Sequence, residues 1–124
     1  NKADRVVAGI VTYKDGQDTD SGGGWHVDSE VPAQLKSFMY LEDVNSNNGP
    51  FVIAQKSRDL VNQLEKHSNL RISEELVREH VNPEDIIEMV GSAGTCILAD
   101  STYLHRGKQI EAGVRYTYTT YYYE

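Results

Sequence analysis

Cysteine, proline, phenylalanine and tryptophan are all scarce here: 124 residues contain one, three, two and one of them. A lone Cys96 excludes an internal disulfide and a multi-cysteine zinc site. Within the apolar stretch GTCILAD it is expected to be a buried structural thiol, in a chain suited to a reduced, cytoplasmic setting. No apolar run approaches the roughly 18 residues that span a bilayer, and no charged-then-apolar leader is visible. Basic residues are outnumbered, 12 against 19 acidic ones, for a net charge of −7. Such a surface repels polyanions unless a basic patch intervenes, and the longest basic run is HRGK. Neither nucleic acid nor a membrane is therefore an expected partner. Histidines are also few, four in all, so their placement carries information.

What is present is ordinary in bulk: 39% hydrophobic and 25% charged residues, as in a soluble globular domain. The expectation is one domain over residues 1–124, trimmed at its N-terminus or processed, since the chain opens on NKADRVV without a methionine. RVVAGIVTY (5–13) is rich in β-branched residues and gives way to a polar, glycine-rich loop. WHVDS is short and extended. QLKSFMYLEDV (34–44) alternates, with Leu35, Met39 and Leu41 on one face and Lys36, Phe38 and Tyr40 on the other. NSNNGP is a turn and FVIAQ (51–55) another strand. Residues 57–82 switch to helical spacing, with Ser57 and Ser73 as N-cap candidates and Glu74 and Glu75 in a first turn. Strand patterns return at 84–92, 94–100, 102–110 and 114–123. Eight strands with a helical insertion after the fourth predict a mainly β jelly roll or small barrel.

The stretch GGGWHVDS places His26 and Asp28 two residues apart. On an extended segment both side chains project to one face, as two ligands of one metal ion would. Chance gives about 0.3 such pairs in a chain of this composition, so the pair alone is weak. His105 strengthens it, being the other histidine in a strand context. Two imidazoles and one carboxylate on one side of a metal leave the opposite side open, the arrangement of non-haem Fe(II) oxygenases. A structural zinc site would want a fourth protein ligand. Ten residues on, Arg115 and Thr117 share a face of the last strand. A guanidinium directed into a barrel is costly unless it meets an anion. With a hydroxyl beside it, it suits the far carboxylate of a dicarboxylate such as 2-oxoglutarate.

These residues carry a family resemblance. GGGWHVDS resembles the Trp-His-x-Asp metal motif of the phytanoyl-CoA dioxygenase family of Fe(II)/2-oxoglutarate-dependent oxygenases. QLKSFMYLEDVNSNNGPF resembles the strand–turn–strand that follows it, and GTCILADSTYLHRGKQIEAGVRYTYTTYYY the closing block with the distal histidine and the cosubstrate arginine. The similarity covers about two-thirds of the chain. It implies a double-stranded β-helix, with Fe(II) held by His26, Asp28 and His105 and the C5 carboxylate of 2-oxoglutarate held by Arg115 and Thr117. It further implies O₂-dependent hydroxylation of a small organic substrate, releasing succinate and CO₂. Asp28 favours hydroxylation over halogenation, because related halogenases lack that carboxylate. Two departures stand out: IAQKSRD replaces the family's Pro-Gly-Ser-His, and its N-terminal extension is not within these residues, as in a minimal core or a truncation.

Other readings of the same residues are a cupin-like metalloenzyme that does not use 2-oxoglutarate and a non-catalytic metal-binding jelly roll. Trp25 is expected in the core. Lys36 and Tyr40 are candidates to assist the cosubstrate from the third strand. Lys56, Arg58, Arg106 and Lys108 are expected as exposed charges, with recognition of an anionic substrate as the alternative. The closing tyrosines are expected to pack along their strand or at an interface. His67 and His80 are expected at solvated or half-buried helix positions.

Overall fold

The β-branched and aromatic runs at the two ends of the sequence become its two longest strands. The computed structural model describes residues 5–14, 24–28, 35–64 and 71–123, with the backbone alone at 5–14 and 123. β1 (Arg5–Lys14) and β9 (Val114–Tyr123) pair antiparallel over ten residues, Arg5 opposite Tyr123 and Lys14 opposite Val114. The other edge of β9 carries β3 (Leu35–Tyr40), which pairs in turn with β7 (Cys96–Asp100), giving the order β1-β9-β3-β7. The second sheet contains β2 (Trp25–His26), β4 (Phe51–Ala54), β5 (Arg71–Ile72), β6 (Ile86–Met89) and β8 (His105–Gly107), in the order β5-β2-β8-β4-β6.

From β1 to β4 each strand crosses to the opposite sheet, and β6 to β9 return in the same alternation beside them. That winding is a double-stranded β-helix, the jelly roll expected from the strand pattern. The strand count is nine rather than eight, because the helical insertion contains the two-residue β5, which extends the second sheet beside β2.

β4 shows how the core divides. Phe51 and Ile53 point between the sheets, packing with Tyr40, Val44, Ile97 and Ala99. Val52 and Ala54 point the other way, into a second apolar cluster with Trp25, Leu60, Val61, Ile72, Val77 and Leu104. The period of two in a strand allows both. The second cluster is roofed by α1 (Arg58–Leu64) and α2 (Glu74–His80), each too short to be stable by itself and held by its apolar face. Trp25 is thus a core residue, 1% exposed.

Ser73 caps α2 as expected, its hydroxyl accepting from the Leu76 amide at 3.3 Å. Ser57 behaves differently. Its carbonyl accepts the Val61 amide at 3.0 Å, while its buried hydroxyl accepts from Leu104 N–H at 2.9 Å, tying α1 to the entry of β8. His80 is exposed at the end of α2, and His67, like most of the glycine-rich loop before Trp25, lies outside the described residues. Among the described residues, no helix is long and apolar enough to cross a membrane.

The NSNNGP turn depends on one glycine. Gly49 has φ +78°, and a Cβ there would lie 2.8 Å from the Lys108 carbonyl and 2.6 Å from the Ile110 side chain. Below it Tyr40, 1% exposed, joins three strands: its hydroxyl donates to Met89 O at 2.7 Å and accepts from Phe51 N–H at 3.1 Å. Tyr40→Phe leaves that buried amide and carbonyl unpaired, and should cost about 1–3 kcal/mol in urea unfolding. A variant as stable as the parent would contradict the role.

Cys96 corrects an expectation. It starts β7 on the outward face and is exposed, because β7 alternates and its inward positions are Ile97 and Ala99. The same outer sheet face carries Leu98 at 67% exposure and Met39 at 38%. Cys96 should therefore react with a thiol reagent at one equivalent in native buffer; a thiol released only by denaturant would show that this face is covered.

Candidate metal centre and its cavity

Three side chains from two adjacent strands meet at one end of the space between the sheets. His26 comes from β2 and Asp28 from the extended residues just after it, where the Asp28 amide donates to Ser101 O at 3.1 Å. His105 opens β8 and sits directly opposite His26 in register. One ligating atom from each of His26, Asp28 and His105 lies within 4.8 Å of the others. His26 Nε2 is 3.6 Å from Asp28 Oδ1, and His105 Nε2 is 3.2 Å from Asp28 Oδ2. The two rings are 4.4 Å apart between centroids, tilted by 53°.

The backbone selects the tautomer. His26 Nδ1 is 2.7 Å from Gly24 O and His105 Nδ1 is 2.9 Å from Tyr103 O. A carbonyl can only accept, so each Nδ1 carries the proton and each Nε2 turns a lone pair inward, as metal-binding histidines require. Charge is held off both rings. Burial lowers the His105 pKa to about 3, with the His26 charge also opposing protonation, and burial is the largest cause lowering His26. His105 Nε2 is buried and makes no hydrogen bond among the described residues. Two neutral imidazole nitrogens and a carboxylate oxygen, converging with one nitrogen unsatisfied, fit a divalent cation.

The centre borders a cavity of about 110 Å³. Lys36, Phe38 and Tyr40 enter it from β3, and Arg115, Thr117, Thr119 and Tyr121 from β9. Register partners such as Lys36 opposite Tyr121 and Tyr40 opposite Thr117 keep these two sets side by side. Arg115 is 6% exposed and Thr117 3%, and the Thr117 hydroxyl has no hydrogen-bond partner among the described residues. Lys36 is 6% exposed; its ammonium contacts Asp28 Oδ2 and lies 4.7 Å from the centre of the Tyr121 ring. Burial pulls the Lys36 pKa down to about 8, a pull that the Asp28 carboxylate opposes. Tyr40 is raised, chiefly by burial, so it remains a neutral phenol occupied by its two backbone bonds.

The structure thus brings together His26, Asp28, His105, Arg115 and Thr117 around one cavity, with Lys36 and Tyr40 beside them. Lys56, Arg58 and Lys108 face acidic partners instead: Asp85 at 2.7 Å, Asp100 at 3.6 Å and Glu88 at 2.9 Å. Among the closing tyrosines, Tyr116 and Tyr118 are 41% and 39% exposed, whereas Tyr121 lines the cavity. Strand parity from Arg115 would have found both Thr119 and Tyr121. Phe51, whose ring is 5.5 Å from that of His105, could be found only from the pairing of β4 with β8.

Known proteins match this chain by shape. No protein-family model matches it, and no curated protein does. Solved structures do. EvdMO1 superposes with a TM-score of 0.67 at 15% identity, over 99% of this chain and 28% of its own. EctD from S. alaskensis, solved with bound Fe, gives 0.64 at 18%, over 97% of this chain and 46% of its own. HygX from Streptomyces hygroscopicus, solved with nickel and 2-oxoglutarate, gives 0.59 at 16%, over 95% and 57%. The fold is shared. This chain spans about a quarter to a little over half of the length of those proteins.

The buried histidines make stability pH-dependent. On unfolding they regain a pKa near 6.5 and take up protons that the folded state refuses. Stability of the metal-free chain should therefore fall as pH drops below about 6.5, continuing toward the folded His105 value of about 3. Each excess proton contributes a slope of about 1.4 kcal/mol per pH unit. His105→Asn should show a shallower decline in urea midpoints between pH 6.5 and 4; parallel declines would count against a buried neutral ring.

Proposed function

We propose that the protein is an Fe(II)/2-oxoglutarate-dependent dioxygenase of the phytanoyl-CoA dioxygenase type, hydroxylating a small organic substrate with release of succinate and CO₂. The observation that carries this is the convergence of His26, Asp28 and His105 at the edge of a cavity that also holds buried Arg115 and Thr117. Iron in EctD, and nickel with 2-oxoglutarate in HygX, on the same fold, support the reading.

His26 Nε2, His105 Nε2 and an Asp28 oxygen would hold the metal, their tautomers set by the Gly24 and Tyr103 carbonyls. When bound, Fe(II) supplies the O₂ activation that no side chain can perform. The residues of the chain bind, orient and exclude water. Arg115 offers two parallel N–H donors to the distal carboxylate of 2-oxoglutarate, and Thr117 a hydroxyl that lacks a partner among the described residues. A dry site strengthens both. Lys36 adds a second buried cation, matching a cosubstrate that carries two carboxylates. Phe38 and Phe51, with ring centroids 4.6 Å apart, provide an apolar wall that keeps water from the reacting atoms.

Anaerobic addition of Fe(II) and then 2-oxoglutarate should produce the weak visible charge-transfer band of the chelate. Asp28→Ala should abolish it, and Arg115→Ala should weaken 2-oxoglutarate binding by about 10–100-fold. Iron bound without a band in the folded parent would refute the cosubstrate assignment and favour a cupin-like metalloenzyme or a non-catalytic metal-binding domain.

A further inference from the structure

The strand pairing that sets the two histidines together is minimal. β2 is two residues long and meets β8 at a single register pair, His26 opposite His105. One ladder pair is a weak restraint on two ligands that need fixed spacing. The outer side of the same two strands supplies another. Trp25 precedes His26 and Arg106 follows His105; Arg106 borders the cavity, but its guanidinium lies on the Trp25 indole at the side of α2.

There the two side chains meet one carboxylate. Glu74 Oε2 accepts from Trp25 Nε1 at 2.8 Å and from Arg106 Nη1 at 2.7 Å. The Arg106 guanidinium lies over the indole, 4.6 Å from the ring centroid. Among the described residues its Nε is buried without a hydrogen bond, and Glu74 is the anion that its Nη1 meets. Glu74 is itself fixed, following the N-cap Ser73 of α2 and receiving Arg78 Nε on its other oxygen at 3.2 Å. A charge-assisted pair, a stacked cation and an indole hydrogen bond thus close around one oxygen atom.

We propose that Trp25, Glu74 and Arg106 form a positioning clamp that locks β2 against β8 from outside the sheet and so sets the spacing of the His26 and His105 Nε2 atoms inside it. The proposal rests on the metal-binding reading of those histidines. None of the three touches the metal position; Trp25 and Arg106 act through the histidine next to each in the chain, and Glu74 acts by joining the two. Released from the clamp, β2 samples arrangements that cannot bind, and apparent affinity falls by the fraction lost.

The test uses Co(II) as a spectroscopic probe, with affinity by calorimetry and the visible ligand-field band as a second readout. Glu74→Ala and Arg106→Ala should each weaken Co(II) binding about 10–100-fold and alter the band. Simple electrostatics predicts opposite signs, because one change removes a negative charge and the other a positive one; a clamp predicts loss in both. Glu74→Gln, which keeps an acceptor, should recover part of the affinity, and Trp25→Phe offers a milder break should Glu74→Ala fold poorly. Val61→Ala loosens the same helix–sheet core, which includes Trp25, while keeping the hydrogen bonds of Glu74 to Trp25 and Arg106, and should lower the melting temperature with affinity within about twofold of the parent. Parental affinity in the clamp variants, or an equal loss in Val61→Ala, overturns the clamp. Absence of Co(II) binding by the parent itself refutes the metal reading, and the clamp with it.

Discussion

The structure depends on one register: His26 opposite His105, on strands that are neighbours in the sheet but 79 residues apart in the chain. Antiparallel pairing at this position places two rings on the same face at close range, and the carboxylate of Asp28 follows because the chain stays extended for two more residues. Everything else at the site conforms to that pairing. The Gly24 and Tyr103 carbonyls fix the tautomers, burial keeps the rings neutral, and the cavity between the sheets opens where His26, Asp28 and His105 point.

Two faces of the second sheet divide the labour. The inner face carries the candidate ligands and looks across the cavity at the cationic and hydroxyl side chains that β3 and β9 of the other sheet supply. The outer face carries Trp25, Val52, Ala54 and Leu104 under the short helices. The helices α1 and α2 are therefore a roof on the sheet that bears the candidate metal ligands, and Glu74 at the start of α2 is the polar point where that roof touches β2 and β8. The opposite sheet shows the reverse economy, with Leu98, Met39 and Cys96 left on an outer face that no helix among the described residues covers.

Much of this was legible in the sequence because strand parity is a local rule. The His-x-Asp spacing, the alternation of Lys36, Phe38 and Tyr40, and the common face of Arg115 and Thr117 each follow from a period of two. The same rule extended along β9 identifies Thr119 and Tyr121. It also assigns Cys96 correctly once Ile97 and Ala99 are taken as the inward pair, whereas the apolar character of GTCILAD as a whole misleads.

The sequence by itself determined which residues could act and which way they face within each strand, since side-chain alternation needs only the local backbone. It determined the jelly roll as well, through the number and spacing of its strands. The tertiary structure alone decided what lies across from what: Phe51 beside His105, Lys36 against Asp28, Ser57 on the amide of Leu104, and Glu74 between Trp25 and Arg106. These are contacts between segments tens of residues apart, fixed by sheet order and by the way the insertion folds back. No local period encodes them.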